Sequence, residues 1–174
     1  MLYAPKKLDM HVFILSENKN VSLTQFTFDS CHNFLYKYEK TVVLSQDSDA
    51  SGYENRLFCK ISGGNSRLTS INCAMKNLKN EWAFFVDSGT KVQNRIDEKM
   101  SKYVDTYKDV CFPVINRVFH FPLANLNCLL ISKKFYEEVG EFEDFELPEL
   151  TKLIWSEKAV SLGGRLKGIV GMRC

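Results

Sequence analysis

The chain lacks any cysteine spacing that would tie its thiols to a metal or to each other. Cys31, Cys59, Cys73, Cys111, Cys128 and Cys174 are scattered without a Cys-x-x-Cys pair, and most sit in runs such as Val110-Cys111-Phe112. This pattern excludes a zinc ribbon, argues against a disulfide framework, and reads as buried free thiols of a reducing compartment. Long apolar runs are missing too: Val12 to Leu15, which follows Lys6 and Lys7, is far too short for a signal-peptide core or a membrane span. A cytoplasmic protein without membrane insertion is the expectation. Charge of one sign is not in excess, with 23 Lys and Arg against 21 Asp and Glu. A net charge of +2 is too mild for an electrostatic grip on nucleic acid. No Pro-rich or low-complexity linker divides the chain, nothing repeats at a fixed period, and Gly163-Gly164 lacks the Gly-x-Gly-x-x-Gly context of a dinucleotide site.

What is present is a core. At 174 residues and 45% hydrophobic content the chain fits one globular domain that folds without staples. His11 to Ser16 reads as a first buried strand, and Leu23, Phe26, Phe34, Leu35 and Tyr38 fall at near-helical spacing between Ser22 and Tyr38. Thr41 to Ser45 is a second strand, Leu57 to Ile61 a short third, and Leu68, Ile71, Met75 and Leu78 mark one face of a helix. Ile96, Met100, Tyr103, Val104 and Tyr107 predict another amphipathic helix, and Val110 to Ile115 a strand that Pro113 assigns to an edge or a bulge. Leu126 to Ser132 reads as a strand, Lys133 to Val139 as a helix closed by Gly140 in the αL conformation, and Leu147 to Trp155 as a helix with Pro148 in its first turn. Strands alternating with helices predict an α/β fold with a mostly parallel central sheet flanked by helices.

The most informative stretch is Trp82-Ala83-Phe84-Phe85-Val86-Asp87-Ser88-Gly89, a continuous apolar strand that ends in a carboxylate and a glycine turn. An α/β sheet delivers an acid to a ligand crevice at its carboxyl edge in this way. Gly89 stands where a metal-binding Asp-x-Asp would place its second carboxylate. A second acidic cluster, Asp47-Ser48-Asp49-Ala50-Ser51, follows the second strand.

The order of these pieces resembles the A-type glycosyltransferase fold, most closely the inverting family 2. Asp47-Ser48-Asp49-Ala50-Ser51 stands for that family's acidic cluster after strand two, and Gly64 and Asn72 for its glycine turn and the Asn of the following helix. Asn80 to Gly89 stands for its Gly-Glu-Tyr-x-x-Phe-x-Asp-x-Asp strand. Leu129 to Asp144 is similar to its hydrophobic strand and Phe-x-x-Val-Gly-Gly-Phe-Asp-Glu segment, so the likeness runs from about Val12 to about Gly164. It implies one domain over 1–174, with a nucleotide-sugar-binding half over about 11–115 and an acceptor-side half over about 116–174.

By this resemblance, Asp47 or Asp49 contacts the nucleoside, and Asp87, with Ser88 beside it, faces ribose and metal. Arg67 stands one turn before the family's Arg position, which is Ile71 here, and reaches the phosphates near Asn72. The cation would be Mn2+ or Mg2+, with Gly89 removing its usual ligand and Asp49, Ser88 or His120 as substitutes. The catalytic base would be Glu149, with Glu146 second. The donor would be a nucleoside-diphosphate sugar, UDP-linked, and the acceptor a hydroxyl of a glycan, a protein or a modified DNA base. So short a chain leaves room for a homo-oligomer or partner subunit to complete the acceptor side. A processive synthase is disfavoured, because the Gln-x-x-Arg-Trp motif is absent. A nucleotidyltransferase is disfavoured as well, because Glu17-Asn18-Lys19-Asn20 offers no Gly-rich, Arg-containing loop.

Each of these residues also has a plainer reading. Asp87 suits a turn or a helix cap, the acids of the 47–49 cluster suit Asx turns, and Glu149 suits a helix dipole. Asn72 suits a tie from its helix to a neighbouring loop, and His120, between Phe119 and Phe121, suits packing. Gly89 and Ile71 favour a second hypothesis, a degenerate relative that keeps the fold as a nucleotide-sugar sensor or an interaction module.

Overall fold

The computed structural model describes residues 6–16, 20–45, 53, 59–114, 128–145 and 147–170. In chain order these form β1 (Met10–Ser16), α1 (Val21–Ser30), a 3-10 turn (Cys31–Asn33), β2 (Glu39–Leu44), β3 (Cys59–Ser62), α2 (Arg67–Asn77) and β4 (Trp82–Asp87). They continue as α3 (Ile96–Tyr103), β5 (Asp109–Val114), β6 (Cys128–Ser132), α4 (Lys133–Val139), α5 (Pro148–Ser161) and β7 (Arg165–Val170). The strands make one seven-stranded sheet in the order β3-β2-β1-β4-β6-β5-β7. β1, β2, β3 and β4 pair in parallel, and β5 pairs in parallel with β7. β6 runs antiparallel to both of its neighbours. The sheet is therefore mostly parallel, as the alternation of elements predicts.

Helices cover both faces, which is why β1 and β4 are apolar nearly throughout rather than alternating. On one face α2, α4 and α5 bury Leu68, Ile71, Phe135, Trp155 and Ala159 against Phe13, Phe85 and Ile131. On the other, Ile96 and Met100 of α3 meet Val12, Ile14 and Phe84. Phe13, Phe84, Phe85 and Phe135 are almost wholly buried, and each such ring stabilises the fold by roughly 1.5–3 kcal/mol relative to exposure. No helix among the described residues is long and apolar enough to cross a membrane.

The first helical segment is shorter than its spacing predicts. It ends at Ser30, and Phe34 is already extended. The buried Asp97 carboxylate explains this, because it accepts the amides of Leu35 at 2.9 Å and Tyr36 at 3.1 Å, drawing the chain out of the helix. The inward face of α1 is also not the apolar one. Leu23 and Phe26 are 38% and 46% exposed, whereas Thr24, Thr27 and Ser30 face inward.

Other expectations are corrected in detail. α3 stops at Tyr103, leaving Val104 and Tyr107 outside it. Of the edge or bulge expected at Pro113, the edge is excluded, because β5 lies between β6 and β7; the one bridge described between β5 and β6 joins Cys111 to Leu130. Gly140 has φ +98° but ψ 174°, outside the αL region. Cys31, Cys73 and Cys111 are free, but Cys128 is disulfide-bonded, against the reading of six free thiols. Burial pushes the Cys31 and Cys111 thiols up to about 12, which keeps them unreactive.

β7 was not foreseen, and it fixes where α5 begins. It starts at Arg165 opposite Asp109, at the edge where β4 starts, and Gly163 and Gly164 connect it to the end of α5. Fourteen residues of helix rise about 21 Å, the height of a six-residue strand. As the crossover into β7, α5 therefore begins at the opposite, carboxyl edge of the parallel strands, on the face shared with α2.

Candidate functional site

Three features converge at the carboxyl edge, where β1, β2, β3 and β4 end at Ser16, Leu44, Ser62 and Asp87. One is the N-terminus of α2. Gly63 and Gly64 bring the chain over from β3 so tightly that a Cβ on Gly63 would lie 2.8 Å from the Leu44 carbonyl, and one on Gly64 2.0 Å from Thr69 Oγ1. Ser66 and Thr69 then close a capping box around the first turn. The first helical residue is Arg67, so a fixed cation and a positive helix end share one place.

A second feature is the Arg67–Asp87 ion pair. Arg67 Nη1 donates to Asp87 Oδ1, joining the start of α2 to the end of β4 across 20 positions. The side chains are 17% and 26% exposed, so the pair is largely withdrawn from solvent while keeping an open side. At an effective dielectric of 20, opposite charges about 4 Å apart attract by about 4 kcal/mol. A divalent cation about 5 Å from the guanidinium would be repelled by on the order of 7 kcal/mol on the same scale.

A third feature is the turn after Asp87. Thr90 N donates to Asp87 O at 3.2 Å, and Gly89, the third residue of the turn, has φ +87°. Ser88 is not among the positive-φ residues, which makes this a type II turn, the kind that demands glycine at its third position. The turn is held from both sides: Ser88 N donates to Leu15 O at 2.9 Å and Gly89 N to Leu23 O at 3.2 Å. A Cβ at 89 would lie 3.7–3.9 Å from Leu23, pointing towards α1. The position that would carry a second carboxylate is thus the position whose backbone calls for glycine.

Hydroxyls that the sequence reading did not single out organise the rest of the edge. Ser16 Oγ lies 3.0 Å from Thr24 Oγ1 and 2.8 Å from the Tyr53 hydroxyl, which is 3.1 Å from Thr24. Tyr53 is fully buried. Thr27 Oγ1 donates to the Asp87 carbonyl at 3.4 Å, and Ser30 Oγ accepts from Val92 N at 3.0 Å. No spacing rule finds these residues, because their partners are distant in sequence. Beyond the turn lies a groove of about 740 Å³ lined by Asn33, Gly89, Thr90, Lys91, Gln93 and Asn94. Arg95 N donates to Asn33 O at 2.7 Å and ties its two walls together.

The remaining candidates are placed as follows. Asn72 is buried on α2: its Oδ1 accepts from the Tyr136 hydroxyl at 2.6 Å and Phe142 N at 3.1 Å, and its Nδ2 donates to Phe142 O at 2.9 Å. Glu149 stands in the first turn of α5, at the same edge of the sheet as Asp87 by the topology above. Its side chain is 77% exposed and 3.2 Å from Lys152. Asp47, Asp49, Glu146 and His120 lie outside the described residues. No group of three or more His, Cys, Asp or Glu among the described residues is placed to hold a metal ion.

No protein-family model matches the chain, and no curated protein matches its sequence. Solved structures do match its fold. A mannosyltransferase from Pyrobaculum calidifontis, PcManGT, in complex with GDP-Man and Mn2+, superposes with a TM-score of 0.75 at 13% identity, covering 97% of this chain and 57% of that one. The bifunctional IspDF from Campylobacter jejuni superposes with a TM-score of 0.64 at 12% identity, covering 94% of this chain and 50% of that one. The chain thus spans between half and three-fifths of the length of these neighbours, and what it shares with them is the glycosyltransferase-like α/β fold.

Proposed function

We propose that this chain binds a nucleoside-diphosphate sugar at the carboxyl edge of its sheet and transfers the sugar to an acceptor hydroxyl with inversion. The observation that carries the reading is the meeting of Arg67, the α2 N-terminus and Asp87 at one edge. It gives a diphosphate fixed positive charge and oriented amides, and a sugar or ribose hydroxyl a carboxylate. The fold likeness to a mannosyltransferase holding GDP-Man supports the same ligand class. The resemblance of the acidic cluster and the Asp87 strand favours a UDP-linked donor, with Asp47 or Asp49 on the nucleoside. The division into a donor half and an acceptor half belongs to the same proposal.

In this reading the acceptor oxygen attacks the anomeric carbon from the face opposite the diphosphate. The bond from that carbon to the diphosphate oxygen breaks, and the nucleoside diphosphate leaves with the electron pair. Glu149, or Glu146, takes the hydroxyl proton. Arg67 and the helix end stabilise the charge that develops on the leaving phosphate. The groove beyond Gly89, which lies within the donor half, offers the amides of Asn33, Gln93 and Asn94 to donor hydroxyls. A second reading, donor binding without turnover, is favoured by the Arg67–Asp87 pair and the Gly89 turn.

Calorimetry with UDP, GDP, UDP-sugars and GDP-mannose tests both readings. Binding, together with transfer that Glu149→Gln abolishes while leaving donor affinity intact, is the expected result. Binding without transfer to any acceptor selects the second reading, and absence of binding to every ligand refutes both.

A further inference from the structure

The Arg67–Asp87 pair and the Gly89 turn, taken together, bear on what neutralises the donor. A cation bridging two phosphates needs protein oxygens on the far side of the ion. Among the described residues, the one carboxylate at the end of β4, Asp87, already bonds a guanidinium, and Gly89, two positions on and lining the groove, has no side chain. A Cβ there would lie 3.7–3.9 Å from Leu23 on α1. Arg67 is set at the first position of a capped helix, within reach of whatever anion docks on that helix end, and only 17% of its side chain is exposed. An arginine offers a planar fork that binds phosphate oxygens bidentately without an ion between.

We infer that Arg67 takes the part of the divalent cation at this edge. Its guanidinium shifts from Asp87 to the donor's diphosphate when the donor binds, and it keeps a cation away from Asp87 when the donor is absent. The inference rests on the proposed donor binding and goes beyond it by assigning the countercharge to a side chain.

The test uses the full chain in two independent measurements. Calorimetry with UDP and GDP is run once in EDTA and once in excess Mn2+. The expected affinities agree within about twofold, and Arg67→Gln loses about tenfold or more in EDTA, as removal of a charged hydrogen bond implies. A rise of tenfold or more in wild-type affinity on adding Mn2+ overturns the inference, and so does wild-type affinity of Arg67→Gln in EDTA. The second measurement titrates Mn2+ alone and follows the free-ion electron paramagnetic resonance signal. Wild type and Arg67→Lys leave that signal undiminished, whereas Arg67→Gln lowers it. Tight Mn2+ binding by wild type without nucleotide overturns the inference. If no nucleotide binds under either condition, the donor reading fails, and the Mn2+ titration still decides whether Arg67 excludes a cation. The EDTA and Mn2+ comparison on wild type also holds if Arg67→Gln does not fold.

Discussion

If Gly89 is glycine because its backbone is left-handed, substitution there has a cost set by φ and not by space. The room is adequate: a Cβ would meet Leu23 atoms at 3.7–3.9 Å, ordinary van der Waals contact. What remains is the penalty for placing an L residue at φ +87°, roughly 1–2 kcal/mol. Gly89→Ala should therefore destabilise the fold by about 1 kcal/mol, or about 2–4 °C in a chain of this size. Gly89→Asn should cost less, since asparagine visits this region more readily. Urea denaturation of the two variants beside wild type measures the difference. Equal stability of Gly89→Ala and wild type would refute the assigned turn, and a loss above about 3 kcal/mol would mean that the obstacle is steric. Gly89→Asp completes the series. It should behave like Gly89→Asn in stability and gain no Mn2+ affinity while Arg67 stays paired with Asp87.

Two further predictions concern packing. Asn72→Ala strands the Tyr136 hydroxyl and both backbone groups of Phe142, and should cost about 3 kcal/mol in chemical denaturation, as buried unsatisfied groups do; unchanged stability with weakened nucleotide binding would show that Asn72 serves the ligand. Asp109 is raised by burial, but the Arg165 guanidinium, the amides of Thr106 and Asp105 and the Lys167 ammonium together hold it below the usual carboxylate range. Its contribution is therefore complete above the unfolded value of about 3.9 and is lost as pH falls through the lower folded value. Stability measured from pH 5 down to pH 2 should fall less steeply in Asp109→Asn than in wild type, and parallel curves would refute the assignment.

The strands β1, β2 and β4 were legible because both of their faces are covered, so each reads as an uninterrupted apolar run from Val12, Val42 or Ala83. β7 was not, because Lys167 and Gly168 interrupt its alternation and its identity depends on pairing with β5, which no local pattern records. The same holds for the inner face of α1. Thr24, Thr27 and Ser30 look like solvent-facing residues until Tyr53, the Asp87 carbonyl and Val92 N are brought to them. Asp87 stood out as a carboxylate at a strand end, and Arg67 as a cation within reach of phosphates. That the two bond each other could not be seen, since 20 residues and a helix start lie between them. The edge on which Glu149 stands was likewise hidden until β7 fixed the direction of α5.

The hydroxyl face of α1 carries a thermodynamic consequence. α2 is fastened by hydrocarbon, so its attachment to the sheet weakens on cooling and its release exposes surface that denaturants favour. α1 is fastened chiefly by side-chain hydroxyls, with Val21 and Phe28 only partly buried. The helix's own contribution to the buried apolar area, and so to the heat capacity of unfolding, is correspondingly small. Its hold on the sheet is thus directional, set by hydroxyl geometry, where that of α2 scales with buried area. The helix that forms one wall of the Asp87 turn is in this sense located by hydrogen bonds, and the helix that carries Arg67 by packing.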